Sequence, residues 1–433
     1  MKFYNFAAGE QEKIIIGQTM IDFEKTTLPN GLTLLTHKER NTSLVSVNIL
    51  YNVGARDENP ERTGFAHLFE HLMFGGSANI PSYDQVADSV GAENNAFTTN
   101  DITNYYITLP AQYLETALWL ESDRMNLLDF SEKSLAVQKN VVTEEYRQRY
   151  LNQPYGDLWL MLRPLAYKVH PYRWCTIGKD IAHVQNATLK EVEDFFYRFY
   201  RPNNAVMSIA GNIEHAEVQR LVEKWFGGIP RGAENRRSLP AEPEQTEARK
   251  EVLYRDVPAS VIAKSYKMCD RLHPDYYVFD LISDILSNGN SSRMYNELVK
   301  NRRLFTKIDA CITGDIDEGQ FLVTGYIADG VSPETADQAI EEQLQIIATQ
   351  PVGEYELQKV KNNVETTLLF SQYKCIDRAM RIAYFENLGD AALANNETQM
   401  YARITTDDVQ RVAKSAFQPQ CCSTLYYLKK ENN

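Results

Sequence analysis

Residues 64–76 read Gly-Phe-Ala-His-Leu-Phe-Glu-His-Leu-Met-Phe-Gly-Gly, and His67-Leu-Phe-Glu-His71 places two imidazoles and a carboxylate within five residues of an apolar run. Thr63 as N-cap and Gly75-Gly76 as a stop predict a helix between them. On a helix, residues four apart lie one turn up the same face, so the rings of His67 and His71 can reach one metal ion. Glu70 points into the same sector. This is the minimum set for zinc-assisted hydrolysis, with Glu70 as general base and then acid. Two rings flanked by Leu68, Phe69, Leu72 and Met73 are costly to bury without a partner, and a metal is the most economical one. A catalytic zinc usually takes three protein ligands, so a third must come from elsewhere in the chain.

Bulk composition narrows the class. A chain of 433 residues implies two or more domains, and 43% hydrophobic with 24% charged residues is ordinary for a soluble globular protein. No run approaches the ~18 apolar residues of a membrane helix, so no membrane association is expected. The net charge of −13 argues against a nucleic-acid partner. Six cysteines without a C-x-x-C pair read as free thiols rather than a disulfide framework. The N-terminus lacks a sustained apolar segment, so no secretory signal is read and a cytoplasmic location is expected, with the periplasm as the alternative if that terminus is not native. No G-x-S-x-G elbow, phosphate-binding loop or dinucleotide fingerprint is present. The five other histidines are scattered and read as surface or satisfied core residues.

The chain is organised as two similar halves. Residues 43–53 alternate Val45, Val47, Ile49, Tyr51 and Val53 with Ser46, Asn48 and Asn52, which predicts a half-buried strand. Residues 104–109 read as a second strand, about 111–128 and 131–149 as helices, and 205–210 as another strand. A polar stretch rich in proline and charge, 228–250, reads as a linker. Beyond it a strand (261–266) and a helix (about 274–287) repeat the earlier order without the metal residues. The expected domains are a leader at 1–19, a zinc-binding domain at 20–227 and a homologous metal-free domain at 251–433. Both are α+β, a mixed, largely antiparallel sheet packed with helices.

Several segments together carry a family resemblance. Leu28-Pro-Asn-Gly-Leu32, Gly54-Ala-Arg-Asp57, the inverted zinc motif, Asn95-Ala-Phe-Thr98 and Arg201-Pro-Asn-Asn204 resemble the pitrilysin family of inverzincins, which includes insulin-degrading enzyme and mitochondrial processing peptidase. The likeness runs from about Met20 to the C-terminus and resembles the half-length bacterial members. It implies a third zinc ligand in Val141-Val-Thr-Glu-Glu-Tyr146, where Glu145 fits the register better than Glu144. It places Gln138 where an acidic residue would support that ligand from behind. It implies a substrate-docking edge strand at Asn95, Ala96 and Phe97 and a substrate-gripping Arg293. Apart from the resemblance, the 25 tyrosines read as packing residues, with Tyr105 and Tyr106 beside that edge as candidates to line the cleft. The tyrosine that accompanies an arginine such as Arg293 is missing, since its register falls at Phe305-Thr306.

The resemblance further implies one Zn²⁺ per chain, peptide substrates, and two such chains, identical or homologous, closing as a clamshell. The leading expectation is a zinc metalloendopeptidase acting on unstructured peptides. The alternative is a zinc-retaining partner subunit that is active only when paired with a second homologue.

Overall fold

The computed structural model describes residues 20–430, so the expected leader at 1–19 lies outside the described residues. Eleven strands among these residues form two sheets. The first contains β1 (Glu24–Thr27), β2 (Thr33–Lys38), β3 (Leu44–Tyr51), β4 (Glu93–Thr98), β5 (Thr103–Pro110) and β6 (Ala205–Gly211), in the order β1-β2-β6-β3-β5-β4. The second contains β7 (Arg249–Arg255), β8 (Val261–Lys267), β9 (Phe305–Ile312), β10 (Gln320–Ile327) and β11 (Cys422–Lys429), in the order β7-β11-β8-β10-β9. Without β1 the two paths are the same. The β2/β6 and β7/β11 pairs are parallel, and every other pair is antiparallel. The expected α+β architecture with two homologous layered domains is therefore present. β7 begins at Arg249, just inside the stretch read as linker.

β3 departs from its sequence reading. Its apolar phase packs on the core as expected, but Ser46 and Asn48 are buried too. The cause is a helix from the far end of the chain, Cys375–Asn387, which lies over the opposite face of β3 and β6. Polar side chains there find internal partners. Asn48 Oδ1 accepts from Asn104 Nδ2 at 2.7 Å, and Ser208 Oγ donates to the Ala379 carbonyl at 2.7 Å. Leu35, Leu50, Ile102 and Val206 meet Ile382, Ala383 and Phe385 across this seam.

The arrangement is reciprocal. The helix Leu158–Ala166 belongs by sequence to the first half, yet its Leu158 and Leu162 pack on Val261, Ala263, Leu322 and Leu425 of the second sheet. Fully burying each such side chain contributes roughly 1.5–3 kcal/mol. Polar contacts reinforce the union. Arg56 is buried between Asp101 and Asp317, at 2.9 Å from each, and Asn100 Nδ2 donates to Asp315 at 2.5 Å. The stretch between Phe226 and Arg249, free of helix and strand, is held down along its length. Arg237 pairs with Asp57, and Glu242 accepts from the backbone N–H groups of Lys168, Val169 and His170.

No helix among the described residues is long and apolar enough to cross a membrane. All six cysteines are free.

Candidate metal centre

The zinc-motif helix spans Phe65–Leu72. It starts differently from the expectation, because Thr63 does not cap it. Thr63 Oγ1 instead lies 2.9 Å from His183 Nδ1 and accepts from the Lys179 N–H. The free N–H groups of the first turn go to Glu58, whose two carboxylate oxygens accept from Gly64 and Ala66 at 2.9 Å each. Burial pushes Glu58 up to about 8, against the two N–H groups that favour its charged form, so it serves this helix end by hydrogen bonding more than by charge. Gly64 takes φ +90° at the N-cap, and a Cβ there would lie 2.8 Å from the Ile177 carbonyl oxygen. Only glycine fits without strain.

The helix buries Phe65, Leu68, Phe69 and Leu72 in the core of the first half, with Phe69 stacked on Phe195 and Tyr200. That packing aims the opposite face at a second helix, Glu132–Tyr146, which is capped by Ser131 and runs into a π-turn at Arg147–Leu151. Glu145, one residue from its end, meets both histidines. Its Oε2 lies 3.6 Å from His67 Nε2 and 3.2 Å from His71 Nε2, and the three donor atoms are within 4.8 Å of one another.

These residues fit a metal ion. His71 Nε2 and His67 Nδ1 are buried, and neither is aligned for a regular hydrogen bond, although Glu145 Oε2 comes within 3.2 Å of His71 Nε2. Burial pushes His67 down to about 4, opposed by Glu145, so its ring is neutral at pH 7. Contact with His71 holds Glu145 below the usual carboxylate range, against its burial. A neutral ring and an ionised carboxylate facing each other form no ion pair, whereas neutral imidazole and carboxylate are the forms that ligate a cation. Ligands about 2.1 Å from a tetrahedral centre stand about 3.4 Å apart, a value that lies between the 3.2 and 3.6 Å separations of Glu145 Oε2 from the two rings.

Glu70 sits beside the trio without joining it. Burial raises its pKa, and a hydrogen bond from Thr98 Oγ1 to its Oε2, at 2.6 Å, opposes the rise. A raised carboxylate is a stronger base near neutral pH. Sequence reasoning missed Thr98 in this role. Period-two counting back along β4 held the signal, because Asn94, Ala96 and Thr98 share the more buried face. Arg149 was also missed. It pairs with Glu145 Oε1 at 2.9 Å, four residues on in the same segment.

Two family models match the sequence: "Insulinase (Peptidase family M16)" over residues 33–162 and "Peptidase M16 inactive domain" over residues 186–364. The zinc protease PqqE of Helicobacter pylori is 30% identical over 412 residues, covering 93% of this chain and 92% of that protein. The chain belongs to peptidase family M16. A crystal structure of a protease from Helicobacter pylori matches with a TM-score of 0.88 at 29% identity, over 95% of this M16 chain and 100% of that one. The periplasmic protease PqqL of Escherichia coli shares the fold at a TM-score of 0.77 and 18% identity. This M16 chain covers 48% of it, and so is about half its length.

The other expected residues of the M16 chain are dispersed. Asn95, Ala96 and Phe97 lie on β4, the edge strand beside the motif helix, whose outer edge no described strand pairs. Asn95 and Phe97 face away from that helix. Phe97 borders a cavity of about 470 Å³ with Ile102, Met380 and Tyr384. Tyr105 does not line a cleft. It is fully buried, and its hydroxyl donates to the Phe69 carbonyl at 3.1 Å. Gln138 makes no hydrogen bond to either histidine or to Glu145. Its amide lies beside Gly75, just past the motif helix. Arg293 is held by Glu356, with N···O distances of 2.9 and 2.7 Å, and has no contact with the trio. Thr306 is exposed on β9, and its hydroxyl reaches the Tyr326 carbonyl at 3.4 Å.

Proposed function

We propose that this chain is a zinc metalloendopeptidase of unstructured peptides, with one Zn²⁺ held by His67, His71 and Glu145. The observation that carries the reading is the convergence of two imidazole nitrogens and a carboxylate oxygen next to a second, separately anchored carboxylate, Glu70. Zinc bound there supplies Lewis-acid polarisation of a carbonyl and lowers the pKa of water to about 7.

The chain's own residues supply the rest. Glu70 takes the proton of the attacking water and returns it to the leaving amine. A peptide adds as a strand along β4, using main-chain hydrogen bonds, with Asn95, Ala96 and Phe97 alongside. Main-chain recognition reads little side-chain identity, and it requires an extended, unfolded substrate.

Glu70→Gln tests the reading. Zinc content, measured by plasma mass spectrometry, is expected to stay at one per chain while cleavage of an unstructured peptide is lost. Unchanged turnover would remove Glu70 from the mechanism.

A second reading, a subunit active only when paired with a homologue, is favoured by one observation. Arg293 is engaged by Glu356, and no tyrosine stands at 305 or 306. Size-exclusion chromatography of the isolated chain, with and without a second homologue, separates the two readings. Zinc-loaded protein that is inert alone and active in the mixture would establish the second.

A further inference from the structure

We propose that Thr98 is the positioning residue of the catalytic base, and that it ties the orientation of Glu70 to the strand on which substrate docks. The proposal rests on the reading of Glu70 as the base.

Thr98 is the last residue of β4. Its Oγ1 donates to Glu70 Oε2 at 2.6 Å, and this is the one side-chain hydrogen bond that Glu70 makes among the described residues. A carboxylate turns easily about its terminal torsion, which has broad wells. A single short, charge-assisted bond is enough to choose which oxygen is occupied and which is free. Here the occupied oxygen faces the strand, leaving Oε1 for proton transfer. The strand end is itself fixed. Thr98 pairs with Thr103 of β5, and Thr103 Oγ1 donates to the Val53 carbonyl at 2.9 Å. The next turn is locked by Asp101, which accepts from the Ile316 N–H at 2.9 Å and pairs with Arg56. No described strand pairs with the outer edge of β4, the edge along which the peptide is read to add. One hydroxyl on that strand therefore sets the geometry of the group that must act on the bound peptide bond.

The test compares wild type, Thr98→Val and Thr98→Ser as full-length, zinc-loaded chains on one unstructured peptide. Peptide affinity is measured separately on metal-free protein. Valine keeps the shape and removes the donor, so kcat is expected to fall roughly 10- to 100-fold. KM, peptide affinity and zinc content are expected to hold, because a group acting only through the base leaves ground-state binding alone. Serine is expected to restore most of the rate.

Three results would overturn the proposal. One is full kcat in the valine variant. Another is a loss lying wholly in KM, in metal-free peptide affinity or in zinc content, which would make Thr98 a strand or metal-site residue. The third is a serine variant as slow as the valine one. If Thr98→Val does not fold, Thr98→Ala takes its place with the same expectations. A zinc-loaded wild type that does not cleave overturns the underlying peptidase reading instead, and shows itself before any variant is made.

Discussion

Arg56→Ala should destabilise the chain by an amount that grows with pH. Arg56 and Asp101 are both about 95% buried, and their N···O distance is 2.9 Å. Removing one partner of a buried pair typically costs about 3–5 kcal/mol, because the other charge is left uncompensated. Asp101 escapes part of that cost by taking up a proton. In the wild type, burial pushes its pKa up to about 6, with Arg56 acting to lower it. The folded state therefore binds more protons than the unfolded state between an ordinary aspartate pKa of about 3.9 and about 6, and stability falls as pH rises through that window. Above pH 6 the wild-type contribution is flat. Without Arg56 the folded pKa rises further, so the variant keeps losing stability above pH 6, by at most about 1.4 kcal/mol per pH unit. Asp317 adds to the same trend. Burial raises its pKa, but its hydrogen bond to His170 and the charge of Arg56 outweigh that and hold it low, so it too loses a stabiliser of its ionised form. Urea unfolding of both proteins at pH 5, 6, 7 and 8, followed by circular dichroism, measures the difference, and titrations shared by the two cancel. The full penalty is expected at pH 8 and a visibly smaller one at pH 5. A difference that is constant across this range, or largest at pH 5, would refute the reasoning.

His67→Ala should reduce zinc from one per chain to substoichiometric after dialysis, with little change in melting temperature, as metal analysis and calorimetry would report. Leu162→Ala, in the helix that packs on the second sheet, should cost about 2–5 kcal/mol and still unfold in one transition. A biphasic curve would mean that the halves melt separately. Gly64→Ala forces a Cβ into a left-handed N-cap against the Ile177 carbonyl and should cost about 1–3 kcal/mol with a parallel loss of zinc affinity, read by denaturation and metal competition.

The sequence made local geometry legible. His67, Glu70 and His71 sit within five residues, so helical periodicity alone faces them one way. The alternation of β3 marked a strand, and the return of the same pattern after residue 250 marked the second sheet. What depended on distant chain was less legible. Glu145 could be placed only through family resemblance, since nothing local distinguishes it from Glu144. Ser46 and Asn48 looked solvent-facing because the helix that covers them lies more than three hundred residues on. Thr63 looked like a cap, but Glu58 outcompetes it by offering two oxygens to two N–H groups. Arg293 matched by motif, yet Glu356 holds its fork.

The crossed helices, Leu158–Ala166 on the second sheet and Cys375–Asn387 on the first, make each half the other's missing layer. A cut in the surface stretch between Phe226 and Arg249 would thus leave two fragments that stay associated and keep the fold. A gene truncated at the same place would yield a product with a bare apolar sheet face, prone to aggregate. With that packing the molecule should tolerate a broken chain better than a missing half, and complementation by separately encoded halves is the behaviour its topology favours.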